Sequence, residues 1–391
     1  MKRRANNEGS VLEKKNPRGQ KVYVARVLVT NPTTNQIKRI KRTGKSAKEA
    51  LERANQYKKD IENGFIPSKG KMSIKEWISI WLTDYKEGQV KIKTFEKYES
   101  TLRCYITNPI GDIMLQQLTS PFLQKHFKEL LLTGGFNRKP LSAHTVTETR
   151  RYLISALDVA RSIGYIKHNP VRDTTKPRVQ RKEIQPLSEI EIKKVLETAK
   201  KRSWLIYTIL LVALSTGMRI GEVFGLKWTD IDFNRNKIRV IRSMSTTRTY
   251  GLILEDTKTR SSRRVLAVDS LVIDALLELK KKQQKQMGFL ADFYKDNNLV
   301  FANQVGKLYN PSNFNNRFFQ PILKEANIKR RITFHDLRHT HATLLLSKGI
   351  SPKVVQERLG HSSITVTMDV YSHVTQDLQE SAVEMLSDVW K

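Results

Sequence analysis

Between Asn169 and Pro186 the chain sustains neither a helical nor a strand pattern, and that break requires more than one folding unit. Its two proline-delimited interruptions remove backbone donors and hold the preceding residues extended. Five basic residues, Arg172, Lys176, Arg178, Arg181 and Lys182, stand in it, so it reads as an exposed connection running close to a polyanion. On its N-terminal side, from Ser73 to Asn169, apolar residues recur only at helical spacing. Ser73-Ile74-Lys75-Glu76 is a capping box, Trp77, Ile80, Trp81 and Tyr85 continue its helix, and further helices are expected over 93–104, 120–133 and 143–163. On its C-terminal side, Ser188-Glu189-Ile190-Glu191 caps a new helix that opens a mixed α and β region.

A small basic unit precedes the helical stretch. Residues 21–29 are rich in β-branched side chains, Asn31-Pro32-Thr33-Thr34-Asn35 is turn chemistry, and residues 36–42 read as the partner strand. Ser46-Ala47-Lys48-Glu49 then starts a helix to about Glu62. The fold expected is therefore multidomain: a β-hairpin-plus-helix domain over 1–66, an all-α domain over 72–170, and a mainly α domain with a small antiparallel sheet over 183–391. A basic ribbon of this kind can enter a nucleic-acid groove, with Arg26, Lys38, Arg39, Lys41 and Arg42 as candidate contacts. A solvated basic surface is the plainer alternative.

Composition decides what kind of partner to expect. Seventy Lys and Arg face 38 Asp and Glu, a formal net charge of +32. An excess of that size points to nucleic acid, whereas a membrane partner would need a basic amphipathic helix with an anchor, and none is evident. No segment offers 18 successive apolar residues, and the run around 205–214 has the length of a buried helix. The basic N-terminus lacks the apolar core of a signal peptide, and the single cysteine, Cys104, cannot form an internal disulfide. A cytoplasmic protein is expected.

The C-terminal region carries the chemistry in four separated segments. In Gly217-Met218-Arg219-Ile220-Gly221-Glu222 a helix would set Glu222 on the face of Arg219, a common structural pairing when taken alone. Two strand candidates, 237–241 and 263–268, flank Thr257-Lys258-Thr259-Arg260, which puts Lys258 in or beside a turn, where a lysine is ordinarily a solvated charge; Lys237 and Arg260 lie nearby. In Thr333-Phe334-His335-Asp336-Leu337-Arg338-His339-Thr340-His341 a helix start places His335 and Arg338 together where free N–H groups favour anions. Three histidines in seven residues could suggest a metal, but the carboxylates that would complete the ligand set are missing. In Leu359-Gly360-His361 a glycine ends a short helix, and Tyr371 follows ten residues later on the next one. A tyrosine there is by default a packing residue.

Taken in order, R…K…HxxR…H…Y with LGH ten residues before the tyrosine closely resembles the tyrosine recombinases. The motifs span the last 200 residues, and the three-domain layout resembles phage-type or transposon-type integrases. The resemblance implies Arg219, Lys258, His335, Arg338 and His361 around a nucleophile Tyr371, with Glu222 supporting Arg219. It implies that the first domain binds arm sites while the other two clamp the core site of double-stranded DNA, with Arg172, Lys176 and Arg178 as further contacts. A homotetramer working through a Holliday junction is implied too, with a directionality factor or a host DNA-bending protein as accessory. The tail after Tyr371, with Val374, Leu378, Val383, Leu386 and Trp390 at apolar spacings, would pack on a neighbouring protomer. Neither cofactor nor metal is called for, because paired guanidiniums supply the charge otherwise provided by Mg²⁺. The rival readings are a type IB topoisomerase, which shares this chemistry, a host chromosome-dimer resolvase, which would normally lack the first 66 residues, a silent DNA-binding protein, and a metal nuclease.

Overall fold

A computed structural model describes residues 10–15, 21–30, 37–62, 72–179, 185–256 and 262–371. The chain divides into two compact units, Met1–Arg181 and Lys182–Lys391.

The first unit opens with an antiparallel sheet in the order β1 (Ser10–Lys15), β2 (Lys21–Thr30), β3 (Ile37–Gly44), followed by α1 (Ala47–Glu62). β2 and β3 are the expected hairpin; β1 is an added strand whose polar, exposed residues carry little apolar alternation. Successive strand residues face opposite sides, and the two sides differ here. Ala25, Val27 and Val29 pack with Ala50 and Ala54 of α1. The register pairs Arg26 with Lys41 and Leu28 with Arg39, so these three basic residues lie on the side away from α1. Arg42 is opposite Ala25 and therefore on the helix side, where its guanidinium stacks 3.6 Å from the ring centroid of Tyr57. That stacking sets Arg42 apart from Arg26, Arg39 and Lys41. Lys38 pairs with Val29, and its side chain lies outside the described residues.

The helical part follows in α2 (Ile74–Tyr85), α3 (Ile92–Leu102), a widened turn at Arg103–Thr107 leading into α4 (Asn108–Ile110), α5 (Ser120–Thr133) and α6 (Ala143–Ser162). Ser73 and Glu76 form the expected capping box. Trp77 and Trp81 are fully buried, and the Trp77 indole N–H donates to the Ala156 carbonyl at 2.9 Å. Lys167 pairs with the buried Asp60 at the end of α1.

The connection beyond α6 is bound more closely than its composition suggests. Val171 is in the helical core, and Arg150 of α6 donates to the carbonyls of Val171 (3.0 Å) and Thr174 (2.7 Å). Arg172 is held by both oxygens of Asp158 at 2.9 and 2.5 Å, whereas Lys176 and Arg178 are exposed.

The second unit packs α7 (Glu189–Arg202) against α8 (Trp204–Thr216), then runs through α9 (Ile220–Phe224), β4 (Ile231–Asp232), β5 (Lys237–Val240), β6 (Arg242–Thr247), β7 (Gly251–Asp256) and β8 (Arg264–Ala267). α10 (Ser270–Leu290), α11 (Pro311–Phe314), α12 (Gln320–Glu325), α13 (Phe334–Ser347), α14 (Pro352–Leu359) and α15 (Ile364–Tyr371) complete it. α8 is apolar on every side and buried from Ile206 to Leu214, so it forms the centre of the core. The expected strands β5 and β8 pair antiparallel, with Ile238 opposite Leu266, in a sheet ordered β4-β5-β8. β6 and β7 make a separate hairpin that the sequence reading passed over, because its residues Arg242–Thr247 are mostly polar. Phe334, at the start of α13, meets the rings of Phe314 at 6.0 Å and Phe319 at 5.7 Å. This aromatic contact fixes the helix that carries His335 and Arg338. No helix among the described residues is long and apolar enough to cross a membrane.

Ser188 caps α7 as expected, and Glu191 gains a second partner: Arg330 grips both its oxygens at 2.5 and 2.6 Å. The Arg330 hydrogen bonds hold the Glu191 pKa down to about 2. A depressed carboxylate contributes stability that is present above its unfolded pKa near 4.5 and lost as pH falls toward 2. Glu191→Gln is therefore expected to cost about 1–2 kcal/mol at pH 7. Melting temperatures of mutant and wild type should converge between pH 4.5 and 2; a constant gap would show that the charge is irrelevant.

Candidate active site

Four segments distant in sequence meet at the C-terminal end of α14. A helix leaves its last carbonyls without intrahelical partners, and its dipole makes that end negative. Here three successive carbonyls each accept from a different arginine. Arg264 Nε donates to the Arg358 carbonyl at 2.7 Å, an Arg338 terminal nitrogen donates to Leu359 at 2.7 Å, and an Arg219 terminal nitrogen donates to Gly360 at a long 3.4 Å. Gly360 makes this possible by ending the helix at φ +69°, a left-handed conformation that suits glycine.

Arg219 stands at the start of α9, where Glu222 reaches back to its backbone N–H (3.0 Å) and takes its guanidinium (2.7 Å). The other oxygen of Glu222 accepts from Arg264 at 2.9 Å. Glu222 is 2% exposed. Burial alone would raise its pKa, yet the charges and hydrogen bonds of Arg264 and Arg219 leave it lowered, so it stays ionised. Arg219 is partly exposed, whereas Arg338 is 3% exposed and is also held by the Gly217 carbonyl at 2.9 Å. Burial, then the charge of Arg219, bring Arg338 down to about 9, which leaves it protonated at neutral pH. Of the four guanidiniums gathered here, those of Arg219 and Arg264 bind the carboxylate of Glu222, whereas those of Arg338 and Arg358 donate to backbone carbonyls and, for Arg358, to His341. An oxyanion would relieve that imbalance.

The histidines are held in the opposite state. His335 keeps an exposed edge, but lost hydration and the neighbouring His339, Arg338 and Arg219 lower its pKa to about 4. Burial followed by Arg338 and Arg219 lowers His361 to about 3. Both are neutral at pH 7. His361 Nδ1 meets the Thr367 hydroxyl at 2.9 Å, which leaves Nε2 available for another partner. Thr367 is fully buried on α15, one turn before Tyr371. His341, expected only as one of three clustered histidines, is buried: Nδ1 contacts the Leu214 carbonyl at 2.8 Å and Nε2 accepts from Arg358 at 3.1 Å. No three His, Cys, Asp or Glu side chains among the described residues could hold a metal.

The structure thus brings together Arg219, Glu222, His335, Arg338 and His361. Lys258 lies outside the described residues; of Tyr371 the helical backbone is described and the side chain is not. Arg264, His341, Arg358 and Thr367 escaped the sequence reading. Thr367 had one usable signal, its four-residue spacing from Tyr371; each of the others has backbone carbonyls among its partners, which leave no mark in a residue pattern.

Gly217 joins α8 to Arg219 at φ +64°, and a methyl group there would stand 2.5 Å from Leu359 Cδ2 and 2.8 Å from His341 Cδ2. Gly217→Ala should therefore destabilise this unit by about 2–3 kcal/mol, a cost of overpacking and backbone strain measurable by urea unfolding. An unchanged midpoint would contradict the geometry. A histidine held neutral contributes stability that is complete above its unfolded pKa near 6.5 and is lost as pH falls toward its folded value. For His335, His341 and His361 that window runs from pH 6.5 to about 4 or 3. His341→Gln should flatten part of the resulting fall in melting temperature.

Comparison with known proteins agrees along most of the chain. Residues 185–377 match the phage integrase family, and residues 73–131 match the phage integrase N-terminal SAM-like domain. A tyrosine recombinase XerC-like protein of Caldanaerobacter subterraneus subsp. tengcongensis is 29% identical over 95% of this chain and 97% of its own length. The ICEBs1 integrase of Bacillus subtilis is 25% identical over 92% and 95%. Among solved structures, the Tn1549 transposon integrase in complex with circular-intermediate DNA is similar with a TM-score of 0.67 at 23% identity, covering 81% of this chain and 99% of that one. A lambda integrase tetramer bound to a Holliday junction gives 0.56 at 20% identity, covering 94% and 96%.

Proposed function

This chain belongs to the phage integrase family, the tyrosine recombinases, and on that premise we propose that it cuts and rejoins double-stranded DNA at specific sites through a phosphotyrosyl bond to Tyr371. The observation that carries this reading is the cluster at the end of α14, where desolvated guanidiniums outnumber the one carboxylate beside two neutral histidines.

The phenol oxygen of Tyr371 attacks the scissile phosphorus, its proton leaves to a base, and the bond to the 5′-oxygen breaks. The covalent intermediate conserves the phosphodiester energy, so rejoining to another strand needs no nucleotide cofactor. A phenol of pKa about 10 carries a deficit of roughly 4 kcal/mol as free phenolate at neutral pH. His335, neutral and partly exposed, is the proton acceptor, and the positive charge of Arg219 and Arg338 offsets the deficit. Arg219 and Arg338 stabilise charge on the non-bridging oxygens, and His361 donates through Nε2 while the Thr367 hydroxyl fixes Nδ1. Lys258 is the general acid for the departing 5′-oxygen.

Residues 1–66 form the arm-site module, while the domains over 72–170 and 183–391 clamp the core site. Arg26, Arg39 and Lys41, on the sheet side away from α1, are the arm-site contacts best supported, and exposed Lys176 and Arg178 lie along the core-site path. Phosphate contacts of this kind give affinity that falls steeply with salt. Recombination proceeds in a homotetramer, in the cytoplasm, with the tail beyond Tyr371 joining neighbouring protomers.

The test uses DNA from the flanks of the protein's own gene, incubated in EDTA with wild type and Tyr371→Phe and resolved on denaturing gels. A covalent adduct from wild type alone is expected, and Arg338→Ala should slow its formation about 10²–10³-fold. Adduct with Tyr371→Phe, or none from wild type even on nicked substrates, would refute the assignment. Exchange of DNA ends between duplexes distinguishes recombination from simple relaxation.

For the arm-site module, Arg39→Ala with Lys41→Ala should weaken binding equally on all arm sequences and lower the salt slope by about 2. An unaltered slope would remove the sheet from the interface.

A further inference from the structure

Arg358 lies in the same cluster as the arginines assigned to the phosphate, yet Nε and one terminal nitrogen of its guanidinium bind three other segments of the protein. One terminal nitrogen donates to the Ser215 carbonyl at 3.0 Å and the Ala267 carbonyl at 3.1 Å, and Nε donates to His341 Nε2 at 3.1 Å. Those acceptors belong to three segments. Ser215 lies in the last turn of the helix that leads to Arg219, Ala267 ends the strand that begins with Arg264, and His341 follows Arg338 on α13. The backbone of the same residue starts the run of carbonyls that receives Arg264, Arg338 and Arg219. Arg358 therefore ties together every segment that bears a guanidinium of the cluster.

The hydrogen bonding sets the state of His341. A guanidinium can only donate, so Nε2 accepts and carries no proton, and the remaining proton sits on Nδ1 and goes to the Leu214 carbonyl. His341 is wedged against Gly217, so the imidazole both locks Arg358 and buttresses the turn before Arg219.

We infer that Arg358, clasped by His341, is a positioning residue for strand cleavage that holds Arg219 and Arg338 in register around the scissile phosphate without touching it. This rests on the recombinase reading and extends it from the residues that meet the phosphate to the pair that aligns them.

The experiment compares a phosphodiester with a methylphosphonate at the scissile position, in nicked substrates that trap the covalent adduct. The methylphosphonate has lost the charge that the guanidiniums neutralise, so a defect in their alignment matters less on it. Arg358→Lys keeps a charge but cannot span the three acceptors. Its cleavage of the phosphodiester should slow about 10–100-fold, as expected for a misplacement near 1 Å, with DNA binding unchanged. On the methylphosphonate the deficit against wild type should shrink to about 3-fold or less. His341→Asn supplies the second variant, because its amide reaches the Leu214 carbonyl but not Arg358, and it should show the same substrate-dependent defect. His341→Gln, whose amide oxygen can take the Arg358 hydrogen bond, should restore much of the rate. Equal deficits on both substrates, in whichever of Arg358→Lys and His341→Asn still melts cooperatively, would overturn the positioning role and leave only packing. If wild type forms no adduct on the phosphodiester, the recombinase reading itself fails, and that outcome is separate from the ratio between substrates.

Discussion

The second unit is organised by what the last carbonyls of α14 must bind. A helix end that closes in a protein interior needs donors, and three arginines from three other segments supply them. Arginine suits the task because its planar fork can satisfy a carbonyl with one nitrogen and still present further N–H groups. The fold thus collects positive charge while completing the hydrogen bonding of a helix. Each guanidinium placed this way is partly desolvated, which strengthens its interaction with any anion that follows. Glu222 offsets only part of the charge, through Arg219 and Arg264, so the cluster remains cationic at neutral pH.

The neutral histidines belong to the same balance. Burial first, and then the concentrated positive charge around them, disfavour a further proton, so His335 and His361 stay neutral beside the arginines. Neutral histidines and charged guanidiniums therefore stand side by side in one desolvated arrangement. Burial of Arg338 requires compensation, and the carbonyls of Gly217 and Leu359 provide it.

Much of this was legible in the sequence where local chemistry dictates local structure. The capping boxes at Ser73 and Ser188, the helices over 120–133 and 143–163, and the pairing of Arg219 with Glu222 all follow from spacing. Strands were harder. β1 and the β6–β7 hairpin are too polar to declare themselves by alternation, and they form because neighbouring strands offer a register. The basic residues of β3 looked equivalent in the sequence, yet the pleat separates Arg39 and Lys41 from Arg42, which the ring of Tyr57 draws to the other side. Arg358, Arg264 and His341 stayed invisible for a different reason: each has a backbone carbonyl among its partners, and every residue has one.

That last point bears on how such a site can drift. Acceptors made of backbone belong to a position in space rather than to a codon, so substitutions that preserve the helix end leave the three acceptor carbonyls in place, whatever they do to the Arg358 side chain. Insertions and deletions have no such tolerance, since adding one residue before Gly360 would rotate the carbonyls by about 100° and present them to the wrong arginines. Apart from Arg358 and Gly360, whose side chain and left-handed backbone are themselves used, the stretch from Pro352 should consequently be permissive in spelling and strict in length.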